Sequence, residues 1–340
     1  MKKLRLGING FGRIGKCILA AYFESFKYYF NEIDIVAVNA GTPNIADRIH
    51  SLKYDSVHGR FKAEIKISDE ETFLVDNQHR IKMIFERNIE NLDWLALGVD
   101  VVLECTGSFN KDKKAHAHLK SGAKKVIVSA PYDSADATIV MGANETALDP
   151  FTHKVISIGS CTTNCLAPIA KILNNELSIE SGFVTTIHAA TNDQLILDGR
   201  HTDRRRARAA FLSAIPASTG AAKSIGVVLP ELQDRLGGAA IRIPTANVSM
   251  IDLKFLSAKN TSKDEINSLM KQAISQSPTI LAISDEELVS CDFNHTKYSA
   301  IFDTTLTSVV NRNFCRVVAW YDNEWGFSSR MLDVAKIFNI

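Results

Sequence analysis

Short apolar runs alternate with stretches of helical periodicity along the first third of the chain. Leu4–Ile8 and Ile33–Val38 have the length and composition of buried strands, and the segment from Ile14 to about Phe26 has the spacing of a helix packed on one side. Val99–Cys105 and Val126–Ser129 are further strand-like runs. Strands that are apolar throughout are typical of a parallel sheet covered on both faces. The pattern predicts a doubly wound parallel sheet in an α/β domain.

Two further helices are expected in this part of the chain. Thr42 and Pro43 provide a capping residue and a first-turn proline, which together favour a helix start. Lys111–Ser121 has a helix-like pattern between the last two predicted strands. His116 and His118 fall on this second helix, and we expect both on its solvated face.

The pattern changes after about residue 160. An apolar helical stretch follows Ser160 and continues to about Leu177, and Phe183–His188 then has the pattern of a strand. Later runs mix apolar and polar residues as half-exposed strands do, at Val248–Phe255, Tyr298–Phe302 and Val317–Tyr321. They predict a mostly antiparallel sheet in a second domain of the α+β type. We place the boundary between residues 1–159 and 160–324, with an amphipathic helix at 325–340 packed back onto the first domain.

Composition narrows the class of protein. The 340 residues carry 39 Lys and Arg against 38 Asp and Glu, a net charge of +1, which does not suit a dedicated binder of nucleic acid or of a membrane surface. No segment approaches the roughly 18 apolar residues of a membrane helix. Six scattered cysteines do not form a disulfide framework and are expected to be buried thiols, one of them reactive. We expect a cytoplasmic protein that acts on small molecules.

A glycine-rich motif follows the first strand. Gly10, Gly12 and Gly15 match the spacing G-x-G-x-x-G at the start of the first helix. The glycines permit a tight turn and the close approach of a pyrophosphate, and the helix N-terminus supplies unpaired N–H groups. The motif in this position predicts a dinucleotide-binding domain of the Rossmann type.

The end of the second strand lacks the usual acidic residue. NAD sites generally carry Asp or Glu there for the ribose hydroxyls, whereas this chain has Asn39, Ala40 and Gly41, with no carboxylate before Asp47. Either Asn39 and the backbone hold the adenosine ribose, or the site tolerates a 2′-phosphate. The absence is equally consistent with drift in a site that still prefers NAD.

Cys161 stands at the start of the predicted helix, between Ser160 and Thr162. A helix N-terminus lowers a thiol pKa and favours the thiolate, so we expect Cys161 to be the nucleophile. Cys165 lies one turn further on and should be a buried thiol. The pair would lack two ligands of a zinc site, and no metal is expected.

His188 ends the predicted strand that precedes a long polar stretch, Thr191 to about Arg208. A histidine there is placed to serve as the base for an activated cysteine. The polar stretch has neither helical nor strand periodicity, and a loop of this length is usually functional or an interface. Its arginine-rich end, 203–208, has no interleaved aromatic residues. Such a run is ordinarily solvated or interface charge rather than a nucleic-acid site. The more specific hypothesis is that its arginines bind an anion, together with Thr219, Gly220 and Arg242.

Four motifs in order resemble the phosphorylating glyceraldehyde-3-phosphate dehydrogenases over essentially the whole chain. They are Asn9-Gly10-Phe11-Gly12-Arg13-Ile14-Gly15, Ser160-Cys161-Thr162-Thr163-Asn164-Cys165, Ser218-Thr219-Gly220-Ala221-Ala222-Lys223 and Asp322-Asn323-Glu324-Trp325-Gly326. The resemblance implies oxidation of glyceraldehyde 3-phosphate to 1,3-bisphosphoglycerate through a thioester on Cys161, with His188 as base. It also implies a homotetramer whose interface loop runs from about Ala190 to Ser213.

The resemblance implies three groups of binding residues. The substrate phosphate would lie near Thr191, Asp193 and Arg242. The attacking inorganic phosphate would lie near Ser160, Thr162, Arg206, Thr219 and Gly220. The dinucleotide would contact Gly10, Gly12, Arg13, Ile14, Asn39, Arg87, Ser129 and Asn323, and Asn323 would hold the nicotinamide carboxamide.

Two positions differ from the NAD-specific members of this family. Ala40 stands where they have Asp, and Gly199-Arg200 stands where they have Leu-Pro. Arg200 is placed to pair with a 2′-phosphate, so we hypothesise that NAD and NADP are both used. Two other functions stay open: erythrose-4-phosphate dehydrogenase, which tends to lack the Thr-Gly pair, and a non-catalytic dinucleotide- or RNA-binding protein.

Overall fold

The strands of the first compact unit form one sheet in the computed structural model, which describes residues 3–109 and 113–338. The sheet order is β10-β11-β9-β8-β1-β2-β7-β6-β5. These strands are β1 Leu4–Asn9, β2 Ile33–Asn39, β5 Ile65–Asp69, β6 Thr72–Val75, β7 His79–Ile84, β8 Val101–Glu104, β9 Lys125–Val128, β10 Ala137–Thr138 and β11 Val155–Ser157. A small separate hairpin joins β3 Tyr54–Asp55 and β4 Gly59–Arg60. The run from β10 to β7 is parallel, as predicted, and the edge strands β6 and β5 add an antiparallel extension that the sequence pattern did not reveal.

Four helices belong to this unit in chain order, and two differ from their predictions. They are α1 Arg13–Glu24, α2 Phe26–Tyr29, α3 Ile45–Lys53 and α4 Ala117–Lys120. The cap of α3 is Asn44 and not Thr42, because the Asn44 side chain accepts a hydrogen bond from the Asp47 N–H. The helix predicted at Lys111–Ser121 is reduced to a 3-10 turn at Lys114–His116 and the single turn of α4, and residues 110–112 lie outside the described residues.

The second unit contains the mostly antiparallel sheet that the sequence predicted. Its order is β13-β14-β12-β15-β18-β17-β16, in which β12–β14 and β16–β17 are parallel pairs. The strands are β12 Ile179–Ala189, β13 Ile215–Ala217, β14 Leu236–Ile243, β15 Ser249–Ser257, β16 Leu281–Ser284, β17 Ala300–Val310 and β18 Phe314–Tyr321. The helices are α5 Cys161–Leu177, α6 Ala221–Val228 and α7 Lys263–Ser275.

The core of this second unit lies between the sheet and its helices. Leu166, Ile169 and Leu173 of α5 are fully buried, and they belong to the same apolar cluster as Phe255 and Phe302 of the sheet. Burying five such side chains contributes roughly 1.5–3 kcal/mol each. The helix is therefore held firmly over its length, and its first residue has a defined position.

Each of the two units is built from segments that are not continuous in the sequence. One consists of Met1–Ile139, Thr146–Gly159 and Ser328–Ile340, as far as these are described, and the other of Val140–Glu145 and Ser160–Phe327. The last helix, α8 Trp325–Ile337, thus contributes most of its residues to the first unit. There Asp333 accepts a hydrogen bond from the Tyr29 hydroxyl at 3.0 Å.

Two general expectations can be compared with this fold. No disulfide joins the six cysteines, but Cys291 is exposed, so the expectation of buried thiols is wrong for this residue. Within residues 3–109 and 113–338, no helix combines the length and the hydropathy needed to cross a bilayer.

Candidate active site

A helix cap fixes the position of Cys161, the predicted nucleophile. Cys161 is the first residue of α5, and the Ser160 hydroxyl oxygen accepts a hydrogen bond from the Thr163 N–H at 3.1 Å. A side-chain cap of this kind fixes the start of a helix. The sulfur of Cys161 lies 3.4 Å from Nε2 of His188, which is the penultimate residue of β12. Local capping and strand geometry thus bring together the two residues that the sequence singled out.

The ring of His188 is held in one orientation. Its Nδ1 lies 2.7 Å from the Ala189 carbonyl oxygen, and the same oxygen is 3.2 Å from Nη1 of Arg242. Because a carbonyl accepts and a guanidinium donates, we assign the proton to Nδ1, with both groups donating to Ala189. Nε2 then carries a lone pair directed at Cys161. His188 is 3% exposed, so little water competes for this lone pair.

Strand register brings Arg242 to the histidine. In the parallel pairing of β12 with β14, His188 lies opposite Arg242, and Nη1 of the arginine approaches Nδ1 of the histidine to 2.9 Å. Nε of Arg242 is buried and has no hydrogen-bond partner in the described part of the chain. An unpaired guanidinium N–H beside the base is a suitable donor for an anionic substrate.

Burial shifts the pKa values of Cys161 and His188, and for Cys161 the shift is opposite to the one expected from the sequence. Loss of solvent raises the pKa of the Cys161 thiol, although the Arg242 charge acts in the opposite direction. Burial, followed by the charges of Arg242 and Arg206, lowers the pKa of His188 to about 3. The prediction of a strongly lowered thiol pKa is therefore wrong for the protein without ligand. Burial thus disfavours both the thiolate and the imidazolium.

The second arginine is tied to carboxylates. Arg206 forms ion pairs with Asp193 and Asp203 and donates to the Ser218 carbonyl oxygen at 3.2 Å. An ionised carboxylate repels phosphate, so Asp193 is better suited to orient Arg206 than to bind a ligand directly. Thr191 donates from its N–H and its hydroxyl to Gln194 at 3.1 and 3.3 Å. These residues lie on the irregular segment that follows β12.

A buried tyrosine joins the site without having been predicted. The Tyr321 hydroxyl is 2.8 Å from the hydroxyls of both Thr162 and Thr186, and its ring meets the His188 ring edge to face at 6.0 Å. The Thr162 hydroxyl is thereby used inside the domain, which leaves only its backbone N–H for a phosphate. The sole sequence signal for Tyr321 was its place at the end of a predicted strand.

Two small residues open the next helix. The Thr219 hydroxyl accepts from the Ala221 N–H at 3.2 Å, and Gly220 is the N-cap of α6. An added Cβ on Gly220 would meet no atom within 4 Å. The backbone here is open to a ligand on that side.

The glycine motif of the first unit fits a dinucleotide. Gly10 has φ of 100°, and an added Cβ would lie 2.7 Å from the Thr106 nitrogen, while one on Gly15 would collide with the Gly10 carbonyl oxygen. Gly12 is different, because an added Cβ would meet nothing within 4 Å. Gly12 is also the N-cap of α1 and, as a glycine, supplies no side-chain cap. An open cradle at a helix N-terminus is the arrangement expected for a pyrophosphate.

Other predicted cofactor residues lie near this motif in the first unit. Arg13 forms an ion pair with Asp55 at 2.5 Å, and the Ile14 carbonyl oxygen accepts from the Ser328 hydroxyl at 3.5 Å. The Ser129 N–H donates to the Glu104 carbonyl oxygen at 3.0 Å. Arg87 is exposed and donates to the Gly41 carbonyl oxygen at 3.3 Å.

Two predicted cofactor residues belong to the second unit. Asn323 is buried and its side-chain oxygen accepts from the Ser249 hydroxyl at 2.8 Å. Arg200 is exposed. The structure describes both, and their role toward a dinucleotide stays a prediction.

A pocket of about 300 Å³ lies at the carboxyl ends of β1 and β2. In doubly wound sheets a dinucleotide binds at these strand ends, with its adenosine beyond the glycine motif. The pocket is lined by Asn9, Gly10, Asn39, Ala40, Gly41, Glu86, Arg87, Ile89, Leu92, Thr106, Ser108 and Phe109. Glu86 is the acidic residue among those that line the pocket. Its carboxylate oxygens accept hydrogen bonds from the Asn88 N–H and the Asn91 side chain.

Asn39 has no capacity left for a ribose. Its side-chain N–H groups donate to Asn9 and to the Glu86 carbonyl oxygen, both at 2.8 Å. Its side-chain oxygen accepts from the N–H groups of Gly41 and Glu86 at 3.2 and 3.1 Å. An amide has two donors and two acceptor positions, so all four are used. The hypothesis that Asn39 binds the ribose through its side chain is wrong for this arrangement, and Asn39 instead builds the pocket wall.

Comparison with known proteins agrees with both halves of the chain. A family model described as the glyceraldehyde 3-phosphate dehydrogenase C-terminal domain matches residues 160–323, and one described as the NAD binding domain of the same enzyme matches residues 4–112. The chain belongs to the glyceraldehyde-3-phosphate dehydrogenase family. The first unit is thus an NAD-binding domain of the Rossmann type, and the second is the C-terminal catalytic domain of this family of oxidoreductases.

Bacterial members of the family are similar over nearly their whole length. The plasmid-encoded glyceraldehyde-3-phosphate dehydrogenase of Cupriavidus necator is 50% identical over 334 residues, which are 98% of this chain and 97% of that protein. The enzyme of Xanthobacter flavus is 50% identical over 333 residues, again 98% and 97%. That of Geobacillus stearothermophilus is 48% identical over 333 residues with the same coverage.

The glycine motif leads to a first prediction. Gly15→Ala should lower the free energy of unfolding by roughly 1–3 kcal/mol, because the new methyl group overlaps backbone. Gly12→Ala should change it by less than about 1 kcal/mol but should weaken NAD binding, since the methyl group fills the open cradle. Thermal unfolding and NAD titration measure the two effects. Equal loss of stability in both variants would contradict the assignment of Gly12 to the ligand.

A second prediction concerns the thiol. Arg242→Gln removes a charge that lowers the thiol pKa, so the pH profile of Cys161 alkylation by iodoacetamide should move to higher pH. Arg208→Gln is the matched control, because Arg208 is exposed and pairs with Asp198. Its profile should equal that of the unmodified protein. No shift in Arg242→Gln would mean that a protonated His188, rather than Arg242, balances the thiolate.

Proposed function

We propose that the protein oxidises glyceraldehyde 3-phosphate to 1,3-bisphosphoglycerate with NAD or NADP and inorganic phosphate. The contact that carries this proposal is the 3.4 Å approach of the Cys161 sulfur to Nε2 of His188, with Arg242 beside the same histidine. A nucleophile, a base and a free guanidinium N–H are the groups that an aldehyde bearing a phosphate requires.

The first half-reaction begins with proton transfer from the Cys161 thiol to Nε2 of His188. The thiolate adds to the aldehyde carbon, and the resulting alkoxide takes the proton back from His188 to give a hemithioacetal. Nε2 then accepts the hydroxyl proton again as hydride leaves the same carbon, and a thioester remains on Cys161. The dinucleotide, when bound, is the acceptor of this hydride. The N–H groups at the start of α5 stabilise the developing oxyanion.

The second half-reaction releases the product. An oxygen of inorganic phosphate attacks the thioester carbonyl, the proton of the phosphate passes to solvent, the carbon–sulfur bond breaks, and Cys161 leaves as thiolate. His188 returns its proton to the sulfur. Arg206, Thr219 and Gly220 would hold the attacking phosphate, with Ser160 and the Thr162 N–H at the start of α5.

Substrate charge explains how a base of such low pKa works. Arg242 is one of the charges that lower the pKa of His188. A substrate phosphate bound to Arg242 and Thr191 would offset that charge and raise the pKa of the histidine. Binding of the correct substrate therefore prepares the base for proton transfer.

The test is an activity assay with glyceraldehyde 3-phosphate and erythrose 4-phosphate, with and without inorganic phosphate. We expect the triose phosphate to be preferred and turnover to require phosphate, and Arg206→Gln should raise the KM for phosphate more than the KM for the aldehyde. Phosphate-independent formation of the free acid would favour erythrose-4-phosphate dehydrogenase instead. No turnover of either aldehyde would favour a non-catalytic dinucleotide-binding protein.

Relaxed cofactor use is the second part of the proposal. Ala40 lines the adenosine pocket and offers no carboxylate, and the Glu86 carboxylate is engaged elsewhere in the wall. A hydrogen bond to a charged group contributes about 1.5–3 kcal/mol, so its absence removes most of the usual discrimination against a 2′-phosphate.

This predicts that NADP is used with kcat/KM within about tenfold of NAD, a difference of about 1.4 kcal/mol. Ala40→Asp should restore a strong preference for NAD, and Arg200→Pro should weaken NADP binding more than NAD binding. Steady-state kinetics with both cofactors measure each ratio. A preference for NAD of a thousandfold or more in the unmodified enzyme would overturn the proposal.

Two different observations support the proposed oligomeric state and the proposed cellular compartment. Ile196, Leu197, Phe211 and Leu212 are exposed apolar residues of the segment that resembles the interface loop, which supports a homotetramer. Six cysteines without a disulfide are typical of a reducing compartment, which supports the cytoplasm. Because the reaction is reversible, the enzyme would serve glycolysis or gluconeogenesis.

A further inference from the structure

One buried carboxylate connects the loops around the adenosine pocket. Glu104 is the last residue of β8 and is 2% exposed. Its Oε2 accepts from Asn9 Nδ2 at 2.6 Å and from His118 Nε2 at 2.9 Å. Its Oε1 accepts from the N–H and the hydroxyl of Thr106 at 2.7 and 2.5 Å. Both oxygens are therefore surrounded by donors.

The protonation of His118 follows from its second partner. The indole N–H of Trp94 lies 2.9 Å from Nδ1 of His118, and an indole can only donate. Nδ1 is thus the acceptor, and the ring proton is on Nε2, facing Glu104. This histidine is fully buried, so the expectation that it lies on a solvated helix face is wrong. The single-turn helix α4 carries it inward.

Each oxygen of the carboxylate faces two hydrogen-bond donors. Nδ2 of Asn9 and Nε2–H of His118 both donate to Oε2, so that oxygen carries no proton. The Thr106 hydroxyl accepts from the Ser108 N–H at 3.0 Å, which turns its own proton toward Oε1. Four donors around one buried charge satisfy it, and this is the condition under which a buried charge is tolerated.

The network extends from Glu104 to the pocket surface. Asn9, at the end of β1, accepts from Asn39 at the end of β2, and Asn39 holds the backbone of Gly41 and Glu86. Thr106 follows β8. Each of these residues lines the pocket, whereas Glu104 does not. One carboxylate therefore fixes the ends of three neighbouring strands at the pocket wall.

We propose that Glu104, held by His118, is a positioning residue for the adenosine half of the dinucleotide. It acts through Asn9, Asn39 and Thr106 and does not itself touch the ligand. This role deepens the cofactor binding on which the proposed function depends, but it requires neither the aldehyde nor the phosphate sites. Losing a donor to the carboxylate would free the wall to rearrange and would weaken binding.

The experiment measures the dissociation constants of NAD and ADP-ribose without any aldehyde or phosphate. In His118→Leu both constants should rise by about tenfold, as loss of a hydrogen bond to a buried charge would cause. In steady-state kinetics the loss should fall on the KM for NAD rather than on kcat. Because binding is measured alone, a failure of the proposed reaction would leave this result unaffected.

Two variants make the interpretation specific. His118→Gln keeps a side-chain N–H that can reach Glu104 and should recover most of the NAD affinity. His116→Leu changes a half-buried histidine that contacts Tyr132 and should leave affinity unchanged. If His118→Leu is too unstable to study, Glu104→Gln tests the same point, because its amide N–H would face donors. Unchanged affinity for NAD and ADP-ribose in a folded variant of either residue would overturn the proposal.

Discussion

The parallel register between β12 and β14 sets His188 opposite Arg242, and the chemistry of the catalytic unit depends on this pairing. A shift of either strand by one residue would turn its side chain to the opposite face of the sheet and separate the two residues. In the observed register one carbonyl oxygen, that of Ala189, orients the imidazole and receives the guanidinium. The same contact places a positive charge where it lowers the pKa of the base and also that of the thiol.

Burial and charge therefore have opposing consequences for the nucleophile. A cysteine at a helix start in water would be activated by the helix dipole alone. Here loss of solvent outweighs that effect, and the charge of Arg242 opposes it only in part. Packing of the helix start and the strand end fixes the positions of the reactive groups. The same packing disfavours their charged forms.

Sequence alone located the features that are set by a few neighbouring residues. Ser160 caps the helix that follows it, so the start of α5 at Cys161 could be predicted. The apolar runs of β1, β2, β8 and β9 likewise predicted the parallel sheet. Apart from the pairing of Cys161 with His188, contacts between distant segments could not be predicted from the sequence. Nothing local to Arg242 indicates a histidine 54 positions away, and nothing near Thr162 indicates Tyr321.

The errors have the same physical origin. His118 lies in a helix of one turn, too short for periodicity to show which face is buried. Asn39 has the right position for a ribose ligand, but its four hydrogen-bonding positions are used by Asn9, Gly41 and Glu86, and no motif indicates the contacts with the two distant residues. The lowered thiol pKa was inferred from the helix start, while the burial that opposes it arises from packing across the whole domain.

Hydrogen bonds within the protein hold the wall of the pocket at the ends of β1, β2 and β8. Its strand ends are already joined through one satisfied carboxylate, so binding does not require those loops to become ordered. Ordering flexible segments normally consumes a substantial part of the gross interaction energy. A preorganised wall avoids this loss and leaves more of the interaction free energy available as affinity. With the dinucleotide bound there as proposed, association would not be slowed by a rearrangement of these loops, and the gain in affinity would appear as slower dissociation.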